Sequence, residues 1–270
     1  MSSPAALMRA SHPGPCLALA VLIVALALPS GAGAGTLARF GVAALTAQLA
    51  IGWTNDFCDA ATDRRAGRTD KPVATGAVNR GTVALAACLA LAVSVTLSFA
   101  IGTRTGTINL IMLAPALAYD AGLKRTAWSG LAYVVGFAPI PAFAASLGGP
   151  QPSAWTTASA GLLGLGGHFA NVLADVDADL ATGVRGLPQR LAAARGVPWV
   201  RHAALVLLAL ASCVALVGMR SLPAWAYVLV IVLVVGIAAV GVRGGGRTPF
   251  RAAFVIVFVN VAVLLASAWR

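Results

Sequence analysis

Apolar residues run along this chain in long blocks rather than in the polar–apolar alternation of a half-buried strand. Nine such segments stand out, at about 15–34, 38–57, 81–101, 105–121, 127–147, 155–174, 202–219, 222–242 and 250–269. Each is close to the roughly 20 residues that an α-helix needs to cross a bilayer. A membrane β-barrel would show shorter, alternating segments. The pattern predicts an all-α, polytopic membrane bundle of about nine transmembrane helices, forming one integral-membrane domain over residues 1–270. Pro139 and Pro141 sit inside the fifth segment and predict a kink there. The first segment has two readings. Arg9, an apolar core from Leu17 to Leu28 and the small residues Ala32-Gly33-Ala34 suit a cleaved signal peptide as well as a retained helix.

Composition sharpens this picture. Of the 270 residues 59% are hydrophobic and 10% charged, against about 25% charged in an ordinary soluble domain. The net charge of +11 does not imply nucleic acid, because the basic residues lie in short connections where they orient the helices. With the N-terminus inside, the inner connections hold Arg9, Arg64, Arg65, Arg68, Lys71, Arg80, Lys124, Arg125, Arg185, Arg190, Arg195, Arg201, Arg243, Arg247 and Arg251. That leaves Arg39, Arg104, Arg220 and Arg270 outside. The bias predicts a cytoplasmic N-terminus and a multi-pass protein of the cell membrane. The four cysteines form no C-x-x-C pair and read as small apolar packing residues.

The acidic residues carry the chemistry. All eight are aspartates, and all fall at the inner ends of segments: Asp56, Asp59, Asp63 and Asp70; Asp120; and Asp175, Asp177 and Asp179. Carboxylates at membrane depth are costly and mark functional sites by default. The first group reads N-D-x-x-D-x-x-x-D from Asn55 to Asp63. A weaker copy runs from Asn171 through Asp175 to Asp179, offset by 116 residues, and the same offset pairs Gly67 with Gly183 and Pro72 with Pro188. This register suggests two pseudo-repeats, one motif near 55–72 and the other near 171–188.

On a helix, residues four and eight apart share a face, so Asn55, Asp59 and Asp63 point one way, as do Asn171, Asp175 and Asp179. Hard oxygen ligands at this spacing suit Mg²⁺, which keeps waters and accepts phosphate oxygens as further ligands. Asp56 lies off that face but can reach a metal from the helix end, while Asp177 reads as solvated. Cys58 is a poor ligand for a hard cation. Arg64, Arg68, Lys71, Arg185 and Arg190 supply cations for a diphosphate, arginine bidentately and lysine as a point charge. His168 precedes Asn171 by three residues. It is expected on the same face, either near an acceptor or packed between helices. His12 and His202 read as interfacial, Trp53 as a packing or tunnel-lining residue, and Asn109 and Asn260 as interhelical hydrogen-bonding residues.

The N-D-x-x-D-x-x-x-D run at 55–63, the basic stretch Arg64 to Pro72 and the second D-x-x-x-D at 175–179 resemble the UbiA superfamily of intramembrane prenyltransferases over nearly the whole chain. That resemblance implies Mg²⁺-dependent transfer of a prenyl group from an isoprenyl diphosphate to a membrane-associated acceptor of aromatic or quinone type. Ionisation of the allylic C–O bond would give a carbocation-like electrophile. The resemblance implies Asp59, Asp63, Asp175 and Asp179 as catalytic residues. Many members carry Y-x-x-x-K after the fourth helix. Here Tyr119 precedes Lys124 by five positions, and Asp120 has the four-residue spacing instead; Lys124 remains a candidate for the diphosphate. A terpene cyclase of the same superfamily, or a non-enzymatic carrier of an isoprenoid or cation, are the alternatives. The D-G-x-x-A-R pattern of CDP-alcohol phosphotransferases is absent.

Overall fold

The structure is a computed structural model and describes residues 3–219, 222–245 and 248–268. Arg220, Arg247 and Arg270, which entered the charge-bias argument, lie outside the described residues. The described residues are helical, without strands. The chain forms two compact units, residues 1–122 with 143–149, and residues 123–142 with 150–270.

The first unit contains α1 (Pro4–Ala10), α2 (Pro13–Ala27), α3 (Ala34–Arg65), α4 (Arg80–Ile101) and α5 (Thr103–Ala121). Local signals start and stop these helices. Pro13 lies in the first turn of α2, where a missing N–H costs nothing. Asn79 caps α4 by accepting from Gly81 N–H at 2.7 Å. Alanines dominate the buried faces: Ala6, Ala10, Ala50, Ala60, Ala87 and Ala90 pack with Trp53, Val73, Val78 and Val83. Such small residues let helix backbones approach closely, which membrane bundles use in place of a hydrophobic drive between helices. Asn109 on α5 donates to Ser94 Oγ and Ser98 Oγ on α4, both at 2.9 Å. Ser94 in turn donates to the Ala43 carbonyl of α3 at 2.8 Å. This buried polar chain ties three helices together, the role expected of Asn109.

The second unit contains α6 (Ser129–Phe137), α8 (Ala154–Val172), α9 (Val176–Ala181), α10 (Leu187–Arg195), α11 (Val197–Gly218), α12 (Ala224–Arg243) and α13 (Thr248–Ala268), while α7 (Ile140–Ala145) follows α6 beyond a break at Ala138–Pro139. That break is where the prolines predict it. Ser153 caps α8, accepting from Thr156 N–H at 3.4 Å. The core of this unit gathers Leu163, Phe169, Val172, Val176, Val200, Leu208 and Ile256. Asn260 on α13 donates to Ser212 Oγ on α11 at 2.9 Å, as its position predicts.

Five helical stretches among the described residues are long and apolar enough to cross a membrane: Pro13–Ser30, Ala34–Arg65, Arg80–Ile101, Val197–Gly218 and Ala224–Arg243. Much of their outward surface is apolar, with Leu85, Val206, Val217 and Val235 each more than half exposed. In water that would be an interaction patch; in a bilayer it faces chains of its own polarity.

Candidate active site

The first motif belongs to helix, not loop. α3 continues unbroken through Arg65, so it carries Asn55, Asp59 and Asp63 on one face within a single 32-residue element. The apolar segment predicted to end near residue 57 therefore extends two further turns into charged sequence. Asn55 Nδ2 donates to Asp59 Oδ2 at 3.2 Å and to Asp120 Oδ1 at 2.8 Å. Asp120, buried on α5, thus joins the motif. The sequence had signalled only that Asp120 shares an inner membrane edge with the other aspartates. Asp59 and Asp63 are half-buried, and Arg64 is exposed.

Asp56 faces elsewhere. Its side chain is fully buried, and Oδ1 is met by Lys71 Nζ at 2.8 Å and by His12 Nε2 at 3.0 Å. His12 Nε2 also lies 3.0 Å from Lys71 Nζ. Oδ2 of Asp56 is buried with no hydrogen-bond partner. His12, which reads from sequence as an interfacial residue, is thereby part of the charged cluster. Arg68 forms a bidentate pair with Asp70, Nε to Oδ1 at 2.8 Å and Nη2 to Oδ2 at 2.9 Å. That hydrogen bond draws the Asp70 carboxyl from its ordinary 3.8 down to about 2, against a smaller desolvation effect.

The end of α3 is capped by Gly67, whose φ of +66° only glycine adopts freely. Ala66 N–H donates to Thr62 O, Gly67 N–H to Arg64 O and Arg68 N–H to Asp63 O. The same three bonds recur at the end of α9. Thr182 N–H donates to Ala178 O, Gly183 N–H to Leu180 O and Val184 N–H to Asp179 O, with Gly183 at φ +81°. Each position differs by the 116 residues that separate the motifs. Both caps are of the Schellman kind, and each places its last aspartate four residues before the left-handed glycine.

The second motif departs from the predicted single face. α8 ends at Val172 and α9 begins at Val176, with Asp175 as its N-cap residue. Asn171 and His168 therefore lie on one helix and Asp179 on another, and a shared i, i+4, i+8 face does not form. No proline or glycine marks the break. Val172 and Val176 flank it and are both buried in the same core, so packing sets the chain direction there. Asn171, Asp175 and Asp177 are exposed. Asp179 is half-buried and accepts from Gln189 Nε2 at 2.8 Å. Gln189 is a residue the sequence did not single out.

His168 is completely buried. Its Nε2 lies 3.1 Å from Ser129 Oγ, and its ring stacks on Tyr133 with centroids 4.4 Å apart. Ser129 Oγ accepts from Leu187 N–H at 2.8 Å, which leaves the hydroxyl proton for His168. Gly186 sits against the Lys124 carbonyl, Gln189 Oε1 and Ser129 Oγ so closely that a Cβ would overlap them. This holds the segment of Lys124, itself buried, against the start of α10. The four-residue relation from Asp120 to Lys124 is not helical, because α5 stops at Ala121 and Gly122 takes φ +147°. Arg185 and Arg190 are exposed, and Arg190 Nε donates to the Arg185 carbonyl.

The donors available to a metal are amide and carboxylate oxygens, a set that fits a hard divalent ion. The buried Asp56 Oδ2, lacking any hydrogen bond, is an acceptor of that kind. Among the described residues no three His, Cys, Asp or Glu side chains are gathered closely enough to hold a metal ion by themselves.

The pattern that defines the UbiA prenyltransferase family matches residues 16–261. The chain belongs to this family. Solved structures agree in fold at low identity. A UbiA homolog from Archaeoglobus fulgidus, bound to GPP and Mg²⁺, is 13% identical, with a TM-score of 0.73 and coverage of 98% of this chain and 100% of the homolog. An apo UbiA homolog from Aeropyrum pernix K1 is 18% identical, with a TM-score of 0.75, covering 94% of this chain and 98% of that one. A digeranylgeranylglyceryl phosphate synthase is 14% identical, with a TM-score of 0.71 and 98% of both chains covered. No curated protein sequence matches the chain.

Proposed function

We propose that this UbiA family member transfers a prenyl group from an isoprenyl diphosphate to a hydrophobic, membrane-associated acceptor of aromatic or quinone type, with Mg²⁺ as cofactor. The observation that carries the reading is the α3 face of Asn55, Asp59 and Asp63, with Asn55 anchored by buried Asp120. A solved relative bound to GPP and Mg²⁺ supports both the donor class and the ion.

In this reading Asn55, Asp56, Asp59, Asp63, Asp175 and Asp179 hold the ion. Mg²⁺, when bound, supplies positive charge against the departing diphosphate. Lys71, Lys124, Arg64, Arg68 and Arg185 bind diphosphate oxygens, which concentrates charge stabilisation where it develops as the allylic C–O bond breaks. Asn171 contributes to substrate binding. His168 fixes the segment around Ser129 and Leu187 through the Ser129 hydroxyl. The shared glycine cap after Asp63 and Asp179 supports equivalent roles for these two aspartates in two pseudo-repeats. We further propose about nine spans, a cytoplasmic N-terminus and residence in the cell membrane, for which the inner bias of Arg and Lys is the support.

The test is diphosphate release by purified protein offered geranyl, farnesyl and geranylgeranyl diphosphate, with and without Mg²⁺ and a mixed set of aromatic acceptors. Release that needs both Mg²⁺ and an acceptor is the expected result. Release without acceptor would point to a cyclase or to futile hydrolysis, and no release with any donor would favour a carrier or an untested donor.

A further inference from the structure

The corner between α1 and α2 is built onto α3 at the first motif by contacts that the family motif does not require. Trp53 Nε1 donates to the Leu7 carbonyl at 2.8 Å. The Ser11 carbonyl lies against Gly52, where any Cβ would overlap it. Cys16 Sγ lies 3.0 Å from that same Ser11 carbonyl and 3.2 Å from Gln48 O, its one thiol proton shared between the two acceptors. His12, the next residue, takes φ +54°, the single left-handed non-glycine among the described residues. A left-handed histidine in a fixed corner persists only where surrounding contacts over-determine it. Here the result is that its ring nitrogen meets Asp56 Oδ1 and Lys71 Nζ, each at 3.0 Å.

These contacts have a consequence for Lys71. A lysine ammonium on a flexible stem is a mobile point charge. Lys71 is held at Asp56 Oδ1 from one side and at the His12 ring from another, with its side chain 12% exposed. In one tautomer His12 Nε2 accepts from the ammonium; in the other it donates to Asp56. Either way the ring nitrogen lies 3.0 Å from the ammonium.

We propose that His12 is a positioning residue for the diphosphate donor: it bridges Asp56 and Lys71 and so fixes the Lys71 ammonium for diphosphate binding, making the N-terminal corner part of the donor site. The inference rests on the prenyltransferase reading for the identity of that ligand, but its geometric half can be tested without turnover. Lys71 and Lys124 are the lysines of the chain. Limiting acetylation of the folded protein, with mass spectrometry of the Lys71 to Lys124 ratio, therefore reads the environment of Lys71 against an internal standard.

In His12→Ala the ratio should rise about threefold or more, and KM for the donor should rise about tenfold with kcat changed far less, the scale of one lost hydrogen bond to a charged group. His12→Gln, which reaches as far, should restore both quantities, whereas His12→Asn, which is too short, should not. Trp53→Phe loosens the same corner while leaving the His12 side chain in place, and should raise the labelling ratio less than His12→Ala does. An unchanged ratio in His12→Ala and His12→Asn would overturn the proposal. So would an equal rise in Trp53→Phe, which would make the role merely structural, or an intact mass showing that residue 12 is removed from the mature protein. If wild type releases no diphosphate from any donor, the prenyltransferase reading fails, and with it the assignment to a donor. The labelling would still report whether His12 fixes Lys71.

Discussion

Asn55 on α3 donates its amide N–H to Asp120 on α5 across 65 residues of chain, at 2.8 Å. The bond fixes which way the Asn55 side chain faces and leaves its carbonyl oxygen as the atom offered to a ligand. Partners of this kind orient a metal's own ligands and are often worth a factor of about 10–100 in metal affinity. Asp120→Ala should therefore raise the Mg²⁺ concentration needed for half-maximal diphosphate release by about tenfold, with a smaller effect at saturating Mg²⁺. A Mg²⁺ titration of wild type and variant reads this directly; superimposable curves would separate Asp120 from the site.

The aspartates themselves should be less forgiving. Asp59→Ala, Asp63→Ala and Asp175→Ala are each expected to lower turnover by about 100-fold or more, while the protein still inserts and unfolds at close to the wild-type temperature. Chelation with EDTA should have the same effect on wild type, reversed by Mg²⁺. Normal activity in any one variant would remove that residue from the site.

Gly67 and Gly183 offer a stability test without a steric complication. Both take positive φ, and a Cβ at either would meet no atom within 4 Å. Replacement by alanine therefore costs only the left-handed backbone penalty, about 1–2 kcal/mol. Thermal unfolding should show a drop of that size for Gly67→Ala and Gly183→Ala, and a smaller one for asparagine at either position. Equal stability would mean that the caps are not formed.

Gln189 is 2% exposed, and its Oε1 has no hydrogen-bond partner. Holding Asp179 through Nε2 therefore comes with an unsatisfied buried acceptor. Gln189→Leu should leave stability within about 1 kcal/mol of wild type, because an orphaned polar group is removed along with the hydrogen bond. Activity should fall, by about tenfold in kcat/KM for the donor, as Asp179 loses its orientation. A variant as active as wild type would show that Asp179 needs no such support.

Arg68 and Asp70 set a pH expectation. The Asp70 carboxyl is depressed to about 2, so the contribution of the pair is present above the ordinary 3.8 and is lost as pH falls through about 2. Between pH 5 and 8 the pair stays ionised. The loss of donor affinity in Arg68→Ala should accordingly be flat over that range. A loss that varies with pH there would implicate a different titrating group.

Several parts of this protein were legible before any coordinates. The apolar blocks gave helices because backbone groups in a bilayer have no partner but their own chain. The proline pair gave the break after α6 because proline lacks the N–H that a helix needs. The spacing of Asn55, Asp59 and Asp63 gave one face because α3 is regular there. The same reasoning failed on Asn171, Asp175 and Asp179. Nothing in Leu173-Ala174 opposes a helix, and the chain turns there with Val172 and Val176 buried on either side of the turn.

The sequence by itself determined the helical class and the family, and supplied the candidates proposed to bind a cation or a diphosphate, since each depends on local pattern and residue chemistry. Only the tertiary structure decided which partner each polar group takes: Asp120 for Asn55, Gln189 for Asp179, Ser129 for His168, and the His12–Lys71 pair for Asp56. These partners lie 10 to 65 residues apart along the chain. A buried polar group must find a hydrogen bond wherever packing supplies one, and no short-range rule of spacing encodes where that will be.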